Sequence, residues 1–567
     1  MRTVLVLIFC ALISGASFAE DTKADLVLRH GKIYTMDAAR SWAESIAIRN
    51  GRIVYVGDDQ GLARWIGPAT KTMELEGKLV LPSFIDSHVH PVEAGIGLNL
   101  CSLDEATTKE EILKIVKQYA DSHPDLPWIV GSGWQPFLFS NANPQKEWLD
   151  AIVPQRPVFL SDATGHFAWV NSKALQLANV TKKTPDPANG RIERNEKGEP
   201  SGTLREGAAD LVDKLVPPPS TEEALTGLEK ALSIMNAFGI TGFLDASVST
   251  GGSGSVPGGS VGIYHQADQK GMLTVRAVGA LYVDPEQSIE QIQKFTEVRN
   301  THTGKQFQPR TVKIFVDGVI EGGTAAVLEP YLDTKDTGIL NWSPEKLNAF
   351  VQELDRQNFQ IHFHAIGDRA IRLALNALEA ARKANGSRDG RPTLSHIQLI
   401  DPQEIARFVR LNAIPCFQPL WAYEDAYIKD LTIPRLGPAR MRWNYPIRSV
   451  QQTGATLAFG SDWSVTSVNP LDGIEVAVTR QNFEGATESD KPFFPEERIS
   501  LDTALAAYTI GSAYANFWDK ETGSLEVGKS ADLIVLSQNL FEIPAPQINQ
   551  TKVLWTMFAG KIIYQAR

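Results

Sequence analysis

Cysteine is nearly missing from this 567-residue sequence. Cys10, Cys101 and Cys416 are its three examples, too few for a disulfide scaffold or a cysteine zinc cluster. Long apolar runs are scarce as well. Beyond the first residues nothing approaches the roughly 18 consecutive apolar positions of a membrane helix, so no membrane span is expected. Basic charge is not in excess either: 55 Lys and Arg stand against 66 Asp and Glu, for a formal net charge of -11. Without a Lys/Arg-rich stripe to neutralise phosphates, a nucleic-acid partner is not expected. What is plentiful is core material. With 43% hydrophobic and 21% charged residues, the chain should form a large globular protein, well beyond one small domain.

The exceptional apolar run opens the sequence. "MRTVLVLIFCALISGASFAE" combines one basic residue, an apolar stretch from Val4 to Ile13, and Ser17 and Ala19 at the minus-three and minus-one positions of a cleavage site. This reads as a secretory signal peptide over residues 1–19 and predicts an exported chain, periplasmic or secreted, starting near Glu20. Cys10 would leave with it. Whether Cys101 and Cys416 pair stays open at the level of sequence.

A short pattern recurs at both ends: "GKIYT" (31–35), "GRIVY" (51–55) and "GKIIY" (560–564). A turn glycine, a basic residue and then β-branched and aromatic residues suit hairpin strands. Residues 20–82 and 518–567 are therefore expected to form one composite β-domain, with residues 83–517 inserted between them. Inside the insertion, strand-like runs alternate with helical stretches. Eight runs stand out, at 78–90, 239–248, 273–283, 311–318, 359–367, 392–400, 413–420 and 456–463. Eight is the number a parallel α/β barrel requires. Helix starts are predicted at Ser343-Pro344, followed by Leu347, Phe350, Val351 and Leu354 on one face, and at Ser220 with Glu223 at capping-box spacing. The gap between the first two runs is too long for a crossover, so about 91–220 should be an inserted subdomain. The stretch "STGGSGSVPGGSVG" (249–262) is flexible by composition and could cover a substrate or be a plain surface loop.

Chemistry is suggested by the polar residues that end these apolar runs. "FIDSHVHP" (84–91) closes with His88 and His90, which point to one side because strand side chains alternate. His364, His396 and Asp462 end or occupy later runs, and Lys313 lies inside "TVKIFVDG". In a parallel barrel such ends meet at one mouth. Other readings remain for each: a hydrogen-bonded core histidine for His396, a turn residue for Asp462, an inward salt bridge for Lys313. His362 is assigned to the surroundings of the site or to the core.

Taken with "GHFAWVNSKAL" (165–175), "GRIERNEKGEPSGTLRE" (190–206), "VKIFVDGVIEGGTA" (312–325), "HFHAIGDRA" (362–370), "SHIQLI" (395–400) and "GSDWSV" (460–465), these residues resemble the amidohydrolase superfamily. Within it they are similar to the YtcJ-like metal-dependent hydrolases, the branch that includes N-substituted formamide deformylase. The resemblance implies a distorted TIM (β/α)8 barrel, a composite β-sandwich from the N- and C-terminal segments, and one or two divalent metals, zinc being expected. It implies that His88, His90 and Asp462 hold the more buried metal and His364 and His396 the second. Lys313 matches the position that is carboxylated to bridge two ions; an unmodified Lys313 beside one metal is the alternative. The expected reaction is attack on an amide or N-substituted formamide by metal-activated water, with Asp462 moving the proton and His166 orienting substrate or stabilising the oxyanion. Trp134, Trp169 and Trp463 are the expected substrate-binding aromatics. A cyclic amide, a carbamate or an ester would suit the same chemistry, and a metal-containing binding protein is the reading from another class. The partner is a small molecule; a homo-oligomer stays open.

Overall fold

The computed structural model describes residues 23–252, 256–484 and 491–567, so the expected signal peptide lies outside the described residues. The central sheet has eight parallel strands: β1 (Phe84–Val89), β2 (Ile240–Val248), β3 (Arg276–Tyr282), β4 (Phe307–Phe315), β5 (Gln360–Ala365), β6 (Thr393–His396), β7 (Ile414–Phe417) and β8 (Ala458–Phe459). Each falls on one of the eight apolar runs, and each pairs with the next in sequence. A parallel sheet is covered on both faces, which is why its strands read as nearly continuous apolar runs.

The two end strands meet through backbone contacts just beyond their tips. Asp462 donates its N–H to the His88 carbonyl at 2.7 Å, and His90 donates to the Trp463 carbonyl at 2.9 Å. Gly460 permits the approach, because a Cβ there would lie 2.5 Å from the His88 nitrogen. The sheet is thereby a nearly closed, distorted (β/α)8 barrel. Its helices start where their sequences predict. In α1 (Thr221–Ala237), Glu223 N–H donates to Ser220 Oγ at 3.2 Å while Ser220 N–H donates to Glu223 Oε2 at 2.8 Å. In α2 (Pro344–Arg356), Lys346 N–H donates to Ser343 Oγ at 3.2 Å, and Leu347, Phe350, Val351 and Leu354 are the buried face.

Three further sheets surround the barrel. One six-stranded sheet runs Lys561–Gln565, Val553–Phe558, Leu533–Leu536, Leu79–Pro82, Lys32–Tyr34, Trp42–Ala43. It joins strands from both ends of the chain, with Leu533–Leu536 antiparallel to Leu79–Pro82. A four-stranded sheet runs Arg52–Gly57, Ser45–Arg49, Leu26–Arg29, Lys71–Glu74. Ile46 and Ile48 of the second share a core with Val80, Leu533 and Val535 of the first. Between β1 and α1 the chain builds another six-stranded sheet, from Cys101–Ser102 to Pro200–Glu206, which carries His166 beside its strand Phe167–Val170.

Local differences from the sequence reading have simple causes. The run 78–90 divides at Ser83: Leu79–Pro82 joins the outer sheet and only Phe84–Val89 enters the barrel. Both halves are fully buried, so hydropathy does not separate them. The glycine-rich stretch 249–262 already contains the first turn of the helix Gly259–Gln269, tied back by Ser260 N–H donating to Ser249 Oγ at 2.9 Å; residues 253–255 lie outside the described residues. Cys101 and Cys416 are both buried free thiols.

Candidate metal centre

The barrel delivers the tips of its strands to one mouth, and there the six expected ligand residues come together. His88, His396 and Asp462 offer ligand atoms that all lie within 4.8 Å of one another. Asp462 Oδ1 is 3.0 Å from His90 Nε2 and 3.4 Å from His88 Nε2. Lys313 Nζ is 3.4 Å from His88 Nε2, and the His364 ring centroid is 4.5 Å from that of His396. His396 (φ 79°) and Asp462 (φ 57°) both adopt left-handed backbone, a strained conformation that persists where surrounding structure enforces it.

Hydrogen bonds set the ring orientations. His364 Nε2 donates to the Gly318 carbonyl at 3.1 Å, and His396 Nδ1 donates to Gln418 Oε1 at 2.8 Å. Both acceptors only accept, so the other nitrogen of each ring is left with its lone pair. His88 Nδ1 lies 2.9 Å from His362 Nε2, which itself contacts Ser395 Oγ at 2.8 Å; His362 thus supports a candidate ligand. Burial holds His88, His364 and His396 well below the usual imidazole value; neighbouring Lys313 charge adds to it at His88 and His396. Burial also pushes the Lys313 ammonium down to about 8. At Asp462 burial opposes ionisation, yet the adjacent His90 holds the carboxyl below its ordinary value.

His396 Nε2 is buried and makes no directed hydrogen bond among the described residues, while Asp462 Oδ1 faces the ring nitrogens of His90 at 3.0 Å and His88 at 3.4 Å. Buried polar atoms are nearly always satisfied. Imidazoles and a carboxylate whose ligand atoms converge within 4.8 Å, one ring nitrogen among them without a partner, suit a divalent cation, and these residues fit one.

Several participants escaped the sequence reading. Asp245, in the middle of β2, lies 3.9 Å from His90 Nδ1 and accepts a hydrogen bond from Tyr264 at 2.6 Å; the signal was a carboxylate inside the apolar run "GITGFLDASV". Gln418 and Glu206 gave no local signal. Glu206 Oε2 is 2.8 Å from His166 Nδ1, while Glu206 Oε1 accepts from Thr324 Oγ1 at 2.6 Å. Burial favours a neutral His166, but the Glu206 charge outweighs it and pushes the imidazole up to about 9. The His166 ring stands 5.3 Å from that of His364.

A cavity of about 520 Å³ opens onto this cluster; His166, His364, His396 and Asp462 line its floor. Its aromatic wall is not the expected one. Trp134 and Trp169 are both 0% exposed, with their indole N–H groups donating to the Leu160 and Gln145 carbonyls, and they pack in the subdomain core rather than lining the cavity. Trp463 packs against the core beside the ligands and is also outside the lining. Trp421, stacked on His396 at 5.6 Å with an interplanar angle of 6°, lines the cavity with Tyr427 and Tyr445. Adjacency in sequence placed Trp463 next to Asp462, but consecutive residues point in different directions.

The sequence pattern described as "Amidohydrolase family" matches residues 71–564. The chain is 32% identical over 539 residues to YtcJ of Bacillus subtilis (strain 168), covering 94% of this chain and 98% of that protein. It is 26% identical over 550 residues to N-substituted formamide deformylase of Arthrobacter pascens, covering 95% and 98%. Among solved structures, an uncharacterized metal-dependent hydrolase from Pyrococcus furiosus superposes with a TM-score of 0.69 at 25% identity, over 91% of this chain and 99% of that one.

Proposed function

The chain belongs to the amidohydrolase family and is a hydrolase whose candidate ligands support a divalent metal; from this premise we propose that it cleaves a carbon–nitrogen bond in an amide or N-substituted formamide. The observation that carries the reading is the gathering of His88, His396 and Asp462, whose ligand atoms lie within 4.8 Å of one another, where His396 and Asp462 line the cavity. The N-substituted formamide deformylase relative supports the choice of bond.

His88, His90 and Asp462 would hold one zinc ion, and His364 and His396 a second. When bound, a divalent cation supplies Lewis-acid polarisation of a carbonyl and brings the acidity of water toward neutrality. Asp462 accepts the proton of the attacking water at its carboxylate and returns it to the departing nitrogen, which leaves as an amine. His166, kept cationic by Glu206, presents its free Nε2–H to the oxygen that gains charge as water adds. Lys313, buried and destabilised as an ammonium, would as the free amine take up carbon dioxide with release of one proton, and the resulting carbamate would supply a negatively charged ligand. Cleavage of the leader near Glu20, checked by N-terminal sequencing of the mature protein, would place the reaction outside the cytoplasm.

The test is elemental analysis of the mature protein together with an assay of formate and amine release from an N-substituted formamide. About two ions per chain with formate release supports the full reading, including carboxylated Lys313. About one ion per chain leaves Lys313 unmodified. No ion, and no turnover after zinc or manganese is added, overturns the proposal.

A further inference from the structure

The cavity has a charge character that metal-assisted hydrolysis does not require. Among its described lining residues there is no Lys or Arg, whereas Glu321 and Asp425 both face it. Glu321 is only 7% exposed. Its Oε1 accepts from Gln398 Nε2 at 2.8 Å and from Thr432 Oγ1 at 2.7 Å, and its Oε2 accepts no hydrogen bond among the described residues. Asp425 Oδ1 accepts from the Ile428 N–H at 2.8 Å, and the backbone N–H groups of Asp425 and Tyr427 also act on this carboxylate. Neither carboxylate has a cationic partner among the described residues.

Burial and then the Glu321 charge push Asp425 up to about 7. Tyr445 is held far above the ordinary phenol value first by burial and then by the Glu321 and Asp425 charges, and Tyr427 first by burial, then by Asp162, and then by the same two carboxylates. His166, the cationic group among the described lining residues, is already offset by Glu206 at 2.8 Å. A buried carboxylate without a counter-charge is costly. Here Glu321 is such a group, and with the half-buried Asp425 it shares a cavity wall with Trp421, Tyr427 and Tyr445, whose ring faces attract cations.

We propose that the substrate carries a cationic nitrogen, a primary ammonium or amidinium on the substituent away from the scissile bond, seated against Glu321 and Asp425 among these aromatic rings. The inference rests on the proposed hydrolysis only in placing that bond over Asp462; the cation seat stands on the cavity itself. It narrows the substrate class to amides of diamines or of amino-bearing acids. Anionic amides would be rejected by the same wall.

The probes are benzylammonium and its neutral isostere benzyl alcohol, titrated calorimetrically into the mature, metal-containing protein. Benzylammonium should bind at least tenfold more tightly, with a preference that shrinks as salt rises, and the double variant E321Q/D425N should narrow the ratio to under threefold. Should the double variant fail to fold, D425N alone and the salt dependence of the intact protein carry the test. Equal binding of the two probes, binding of neither, or a preference that survives in the double variant overturns the inference. A clear preference in a protein that hydrolyses no amide upholds the cation seat and removes the hydrolysis reading. Hydrolysis of neutral and cationic amides at equal rates, with equal probe binding, does the reverse.

Discussion

On the proposed reading Asp462 concentrates the chemistry of the site in one carboxylate: it reaches toward His88, His90 and His396 and lines the cavity. Replacing it by Asn keeps the shape and removes the proton acceptor. We expect kcat to fall by about 10²–10⁴ with an unchanged far-UV circular dichroism spectrum; a variant with native turnover would remove Asp462 from the reaction. The His166–Glu206 pair makes a pH prediction. His166 is raised to about 9, so it is cationic through neutral pH and loses its proton as pH rises through that value. Activity that depends on the imidazolium should therefore decline on an alkaline limb near pH 9. In Glu206→Gln the support is gone and burial favours the neutral ring, so the limb should move to lower pH by at least one unit in a kcat/KM profile. An unmoved limb would show that His166 does not act as a cation. At this scale the sequence was most legible where a residue type was out of place, such as Lys313 in an apolar run or paired histidines at a strand end. Glu206, Gln418 and Glu321 could not be read that way, because each gains its role from a neighbour many residues away.

Barrel strands are short and buried on both sides, so the eight apolar runs announced β1 to β8 in their correct order. The same property concealed the division at Ser83, where two equally apolar strands belong to different sheets. Helix starts were legible for a local reason: Ser220 with Glu223 and Ser343 with Pro344 carry their signals within four residues. Barrel closure depends on a backbone contact that no local pattern encodes. Gly460→Ala would force a Cβ to within 2.5 Å of the His88 nitrogen and 2.9 Å of its Cα. We expect a loss of about 2–3 kcal/mol of stability and at least a twofold drop in bound metal, since β1 carries His88 and is followed by His90. Gly97→Ala, which would meet nothing within 4 Å, serves as the control in the same melting and metal assays. If both variants behave alike, tight closure at Gly460 is unimportant.

For the molecule as a whole, the core is extensive and reaches from the barrel into the inserted subdomain, so the fold should survive loss of the metal. Stripping divalent cations with a chelator is expected to abolish turnover and lower Tm while leaving the far-UV spectrum in place. Restoring zinc should recover both, with Tm rising as free metal rises, because a ligand held only by the native state stabilises it by mass action. A Tm indifferent to the chelator would mean that the histidine cluster holds no resident ion. The sheet that joins the two ends of the chain has a further consequence, in time rather than in space. Leu79–Pro82 takes one antiparallel partner from Leu533–Leu536, and about 450 residues separate Pro82 from Leu533. At a synthesis rate of about 5–20 residues per second, that edge waits roughly 20–90 seconds for the strand that covers it. Until the last segment emerges, the first sheet is an open and adhesive template, and a message cut short before Leu533 would leave it so for good.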